Sequence, residues 1–142
     1  MNIYKELDIS NDIYLKYKKY ILENCEFNPN IRNKTPQNFS RFPTIIIKET
    51  VNANDSKSLS RHEFVDRIAY TVDIYTKDMT IDGQKYASIE IMDKLKYLTF
   101  DFFNEMGMNR DDCEDAEHTD FTIDRKIIIF SCRLSNWNRK II

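Results

Sequence analysis

Seven residues in the middle of the chain, Ile68-Ala69-Tyr70-Thr71-Val72-Asp73-Ile74, alternate large apolar side chains with small or polar ones. A strand turns successive side chains to opposite faces, so this stretch has one apolar face and one wetter face. It demands a sheet with a core on one side. Two other stretches are suited to join it. Phe42-Pro43-Thr44-Ile45-Ile46-Ile47-Lys48-Glu49-Thr50-Val51 opens with a proline near its start, where a strand tolerates one, and continues with β-branched residues. Phe121 to Leu134 reads as the last long strand, and the consecutive Ile127, Ile128, Ile129 and Phe130 predict a sheet that is dry on both faces there.

Helical spacing flanks these strands. In residues 2–24, Ile3, Leu7, Ile13 or Tyr14, Tyr17 and Ile21 recur near a helical period, with Asn11 or Asp12 as a cap for a second segment after Ser10. Residues 25–41 carry Pro29, Pro36 and several asparagines and read as an irregular connection. The polar stretch 52–65 reads as a long loop at the tip of a wide hairpin between the first two strands. Asp82-Gly83 reads as the opening of a second helix, and Gly107 as its left-handed C-cap. The apolar face of that helix runs through Ala87, Ile91, Leu95, Leu98 and Phe102. Ile89, Met92, Phe100 and Phe103 widen it to about half the circumference, where one sheet needs an arc of only about 100°. The surplus faces either the first helix or a neighbouring subunit. Residues 108–120 are acidic and are expected to hold a short edge strand.

The expected fold is therefore α+β, in the order α-β-β-α-β-β, with one mostly antiparallel four-stranded sheet packed by two helices. It forms a single domain over residues 1–142, with a helical region and connection at 1–41 and the core at 42–137. A domain of 142 residues buries about 70% of the surface of its unfolded chain and needs no staple. The 42% hydrophobic content supplies the core. Cys25, Cys113 and Cys132 are odd in number and far apart, and read as thiols of a reducing compartment. The N-terminus lacks the apolar core of a signal peptide, and no stretch approaches a membrane span, so the expected location is the cytoplasm, with no membrane partner.

Most kinds of site chemistry find no support. Gly83 and Gly107 are the only glycines, too few for a phosphate-cradling loop or a dinucleotide-binding turn, which need close backbone approach. His118 has Cys113, Glu114, Asp115, Glu117 and Asp120 nearby, but no pair has the spacing that pre-organises a metal site. Ser56, Ser58 and Ser60 flank His62 within one loop, whereas a catalytic triad draws on different rigid elements. Nothing marks out two of the 23 acids as a working pair. The chain reads as a non-enzyme without cofactor or metal. At a net charge of −2 it also lacks a dominant basic stripe of the kind that displaces phosphate counterions. Charge is nevertheless uneven. Residues 111–120 hold six acids and no Lys or Arg, whereas residues 125–142 hold five bases and no acid. Opposite patches suit head-to-tail pairing of identical subunits, or pairing within one monomer.

The segments "FPTIIIKET", "RIAYTVDIYTKD", "GQKYASIEIMDKLKYLTFDFFNEMGMNR" and "FTIDRKIIIFSCRLSNW" follow one another over residues 40–137. In this order the chain resembles the tail terminator, or tail completion, proteins of long-tailed bacteriophages and related prophage or tailocin particles. The resemblance rests on Phe42-Pro43-Thr44 followed by Glu49, on the Tyr-x-Val-x-Ile-Tyr strand, and on an asparagine after the glycine that ends the long helix. It implies a ring, usually of six copies, that caps the tail tube in the host cytoplasm and joins it to the head-side connector. The implied partners are further copies of itself, the tube protein, the connector and, in contractile particles, the sheath, with DNA only as passing cargo.

On this reading the polar loop, with Asn52, Asn54, Asp55, Ser56, Lys57, Ser58, Arg61 and His62, is the expected contact with tube or neck. Ile89, Met92, Phe100, Phe103, Arg133 and Arg139 are the expected subunit interface. Asp111, Asp112, Glu114 and Asp115 are expected at the lumen or its rim, or else outside, opposite Arg133, Arg139 and Lys140 of a neighbour. Two other readings stand beside it. One is a head-completion or connector protein of the neck. The other is a small nucleic-acid-binding regulator using Lys16, Lys18 and Lys19 with Tyr17 and Tyr20.

Overall fold

A computed structural model of the chain describes residues 9–37, 39–57 and 64–135. Its elements are α1 (Ile9–Asn24), β1 (Asn30–Arg32), β2 (Thr44–Lys57), β3 (Phe64–Thr76), β4 (Met79–Ile81), β5 (Gln84–Tyr86), α2 (Ser88–Glu105), β6 (Asn109–Ala116) and β7 (Asp124–Ser135). The main sheet has the order β1-β2-β3-β7-β6, which puts the alternating stretch in its central strand. All pairings in it are antiparallel except β1 with β2. No helix among the described residues is long and apolar enough to cross a membrane.

The α+β class, the two helices and the mostly antiparallel sheet agree with the sequence reading; the strand count does not. The main sheet is five-stranded and mixed rather than four-stranded, and β4 and β5 form a separate pair. The added strand is Asn30-Ile31-Arg32, inside the stretch read as irregular, which pairs in parallel with Thr44-Ile45-Ile46. Three residues carry too little periodicity to announce themselves; the exposed edge of β2 makes them a strand.

The polar stretch 52–65 is also mostly strand. β2 runs to Lys57 and pairs through Lys57↔Phe64, with irregularities between Glu49 and Val51 and between Asn54 and Ser56. Cross-strand hydrogen bonding there overrides a composition that favours loops. Asp82-Gly83 does not open a helix. Both residues have positive φ, 50° and 80°, and they join Ile81 to Gln84 as the two-residue turn of a hairpin. The helix starts at Ser88, whose backbone N–H donates to the Asp78 carboxylate at 2.7 Å. Its end is as expected: Gly107 has φ 83°, and Met108 N–H and Gly107 N–H donate to the Phe103 and Asn104 carbonyls, both at 3.0 Å.

One face of the sheet carries Ile45, Ile47, Ile68, Tyr70, Val72, Ile74, Ile128, Phe130 and Cys132. These join Ile13, Tyr17 and Ile21 of α1 and Ile91, Met92, Leu95, Phe102 and Phe103 of α2 in one core. Cys25 and Cys132 are buried, and none of the three cysteines is in a disulfide. Among the described residues, no helix packs on the other face. Ile128 and Phe130 are therefore buried while Ile127 and Ile129 are only half-buried, so β7 is not dry on both sides in the single chain. β7 also begins at Asp124 rather than Phe121, because residues 119–122 form a turn.

Candidate functional site

The turn before β7 is held by its own side chains. The Asp120 carboxylate accepts the Thr122 backbone N–H at 2.9 Å and the Thr122 hydroxyl at 2.7 Å, and the Asp120 N–H donates to His118 Nδ1 at 3.0 Å. The two bonds from Thr122 hold the Asp120 carboxyl below the usual carboxylate range. With the backbone bent in this way, Phe121 stands out from the turn, 98% exposed. Across from it Ile89, at the second position of α2, is 66% exposed.

Between them lies a groove of ≈ 470 Å³, floored by Met92 and bordered by the β6–β7 hairpin. Lys126 on β7 and Asp115 on β6 are direct cross-strand partners and form an ion pair at 3.0 Å on its wall. Glu117 and Asp124 also line the groove, and neither takes part in an ion pair among the described residues. The site thus combines apolar rims with uncompensated negative charge. Isolated exposed apolar residues are ordinary; Ile89 and Phe121 differ in that they flank one concave surface.

The helix-free face has its own fixed point. Arg125 grips Asp73 with two hydrogen bonds, Nε to Oδ1 at 2.9 Å and a terminal nitrogen to Oδ2 at 2.8 Å, and the Tyr75 hydroxyl donates to the same carboxylate at 2.9 Å. Burial, then the Asp73 charge, pushes the Tyr75 phenol up to about 12. Phe39 packs on Tyr75 with ring centroids 4.5 Å apart, and His118 meets both rings edge-on at 6.2 and 5.8 Å. His118 is thus part of an aromatic cluster at the end of this face. Among the described residues no group of three or more His, Cys, Asp or Glu side chains converges as a metal site.

The residues expected in an interface separate. Met92 and Phe103 are core, 4% and 0% exposed, and Phe103 stacks on Phe130 at 4.1 Å. The surplus width of the helix face is thus spent largely inside the monomer: Tyr17 of α1 packs against Phe102 and Phe103 at 5.4 and 5.8 Å. Phe100 is half-buried beneath the Arg110 guanidinium, 4.1 Å from its ring, which leaves Ile89 as the open one of the four apolar residues. Arg133 is exposed on β7, while Arg139 and Lys140 lie outside the described residues. Of the expected contact loop, Asn52, Asn54, Asp55, Ser56 and Lys57 belong to β2, and Ser58, Arg61 and His62 lie outside the described residues.

Asp111, Asp112, Glu114 and Asp115 are all exposed on β6, an edge strand whose register with β7 shifts between Arg110 and Asp112. Charge and irregularity on an edge also discourage pairing with another sheet, a role independent of any lumen. Of the basic and aromatic residues near the N-terminus, Tyr17 is 0% exposed and Tyr20 packs on Phe102 at 5.7 Å, so Tyr17 offers no ring to a base. Phe121 was the residue the sequence reading missed. The signal was present in Asp120 and Thr122, a side-chain-capped turn where a strand start was expected. No protein-family model matches the chain, and no curated protein matches it.

Proposed function

We propose that the chain is a structural subunit of a phage or phage-tail-like particle, assembling with its own copies into a ring that caps the tail tube and joins it to the head-side neck. The observation that carries the assembly reading is the open groove between Ile89 and Phe121, which brings two of the exposed large apolar side chains, 66% and 98% exposed, to one concave surface. The choice of particle comes from the sequence resemblance, whose segments form β2, β3, α2 and β7 of one continuous core. A head-completion or connector ring, one level higher in the neck, is the neighbouring reading.

Identical subunits that meet head-to-tail must close or polymerise, and a terminator has to close. Mass measurement and antibody labelling of native particles test this. The expected result is a single closed ring at the head-proximal end of the tail, most simply six-fold. A two-fold dimer found nowhere on a particle overturns the proposal, and a ring seated on the portal side of the neck moves the chain to the connector reading.

A further inference from the structure

We propose, resting on the self-assembling reading above, that the groove beside Phe121 receives the C-terminal segment, residues 136–142, of a second copy of this chain. The chemistry is complementary. That segment, Asn136-Trp137-Asn138-Arg139-Lys140-Ile141-Ile142, holds one large aromatic residue, two aliphatic residues, two cations and no acid. The groove offers Ile89, Met92 and Phe121 for the apolar side chains, and Glu117 and Asp124 for the cations. Trp and Arg are the residue types that most often anchor an interface, because they bury large area and pair with fixed carboxylates.

Geometry decides that the contact is between copies. Lys126 lines the groove and Ser135 ends the same strand. The nine residues from 126 to 135 span about 30 Å at strand rise. Trp137 follows Ser135 by two residues and reaches only about 7 Å beyond it, and Arg139 about 14 Å. A subunit cannot bring Trp137 or Arg139 back to its own groove. The next copy can present them, and because tail and groove are different surfaces the contact is heterologous, so it closes a ring or runs on.

Trp137 is the only tryptophan in the chain, which makes it a reporter of its own docking. The test holds full-length wild-type chain at low concentration and titrates in full-length Trp137→Phe chain, which supplies grooves but no tryptophan emission. The expected result is a saturable blue shift of Trp137 emission that weakens with added salt. Trp137→Phe chain that also carries Glu117→Lys and Asp124→Lys should need at least about tenfold higher concentration for the same shift, since like charges now oppose the tail. Emission independent of the added chain, or an equal response to the charge-reversed chain, overturns the proposal. The two readings fail separately. A ring at the tail top whose Trp137 emission ignores concentration keeps the function and removes this contact. A saturable shift in a chain absent from particles does the reverse.

Discussion

The Tyr17 hydroxyl of α1 and the Thr99 hydroxyl of α2 meet at 2.8 Å, 82 residues apart in sequence, and both side chains are 0% exposed. Thr99 also donates to the Leu95 carbonyl at 2.7 Å, so its oxygen is left to accept the Tyr17 O–H. Burial raises the Tyr17 phenol well above its ordinary value, which keeps it a neutral donor. This polar bridge ties the two helices together inside the buried core. Removing the two partners should have unequal effects. Tyr17→Phe deletes the donor and should cost about 0.5–1.5 kcal/mol. Thr99→Val strands a buried phenol and should cost about 1–3 kcal/mol. The double variant should be less destabilised than the sum, as urea unfolding of all four proteins would show.

Tyr75 predicts a dependence on alkaline pH. Its phenol titrates at 10.0 ordinarily and at about 12 in the fold. The unfolded chain therefore loses this proton first, so the stabilisation is complete below pH 10.0 and is lost as pH rises towards about 12. Tyr75→Phe should lower the urea midpoint at neutral pH, because the hydrogen bond to Asp73 is gone, and should make the decline across that alkaline window shallower. An unchanged alkaline slope would place the loss elsewhere.

At Asp73, substitution by alanine leaves the Arg125 guanidinium without its two acceptor oxygens. The Arg125 side chain is only 29% exposed, so the expected cost is about 1.5–3 kcal/mol, as for hydrogen bonds to charged groups. In an Arg125→Met background the same Asp73 substitution should cost less. Equal costs in both backgrounds would show that the pair is not coupled.

Gly83 tests the hairpin that replaced the expected helix start. Its φ is +80°, and a Cβ built there meets nothing within 4 Å. Gly83→Ala should therefore cost backbone strain alone, about 1–2 kcal/mol, read as a lower melting temperature. Gly83→Asn should cost less, because asparagine visits this conformation more readily.

For the acidic edge, Asp111, Asp112 and Glu114 are exposed and separate from the Asp115–Lys126 pair. If the chain forms the proposed ring and these acids line its channel, their replacement by lysine should leave the fold and the ring intact and slow DNA ejection, because basic side chains at a channel hold the phosphate backbone. If the ring fails to form instead, and reversal of Arg133, Arg139 and Lys140 restores it, these acids belong to a contact between subunits.

What could be read from the chain without coordinates was whatever is decided among near neighbours. The period-two alternation at 68–74, the β-branched run after Pro43, the helical spacing from Ile91 to Phe102 and the cap at Gly107 all describe interactions within a few residues, and all are present in the fold. Asp82-Gly83 carried a local signal too, one that serves a helix start and a tight turn alike; Lys85 facing Thr80 across the hairpin settles it. Pairing over longer distances decided the rest. Asn52 and Asn54 are strand residues because Ile68 and Asp66 lie opposite them, and Asn30 to Arg32 are strand because β2 has an open edge. Burial was likewise decided at a distance: Ile89, Met92 and Phe103 look equivalent on one helix face, yet only Ile89 is open, because Phe130 and the core close over the other two. Periodicity states which side chains share a face. Which of them stay wet depends on what the folded chain lays against that face, and no local pattern contains that information.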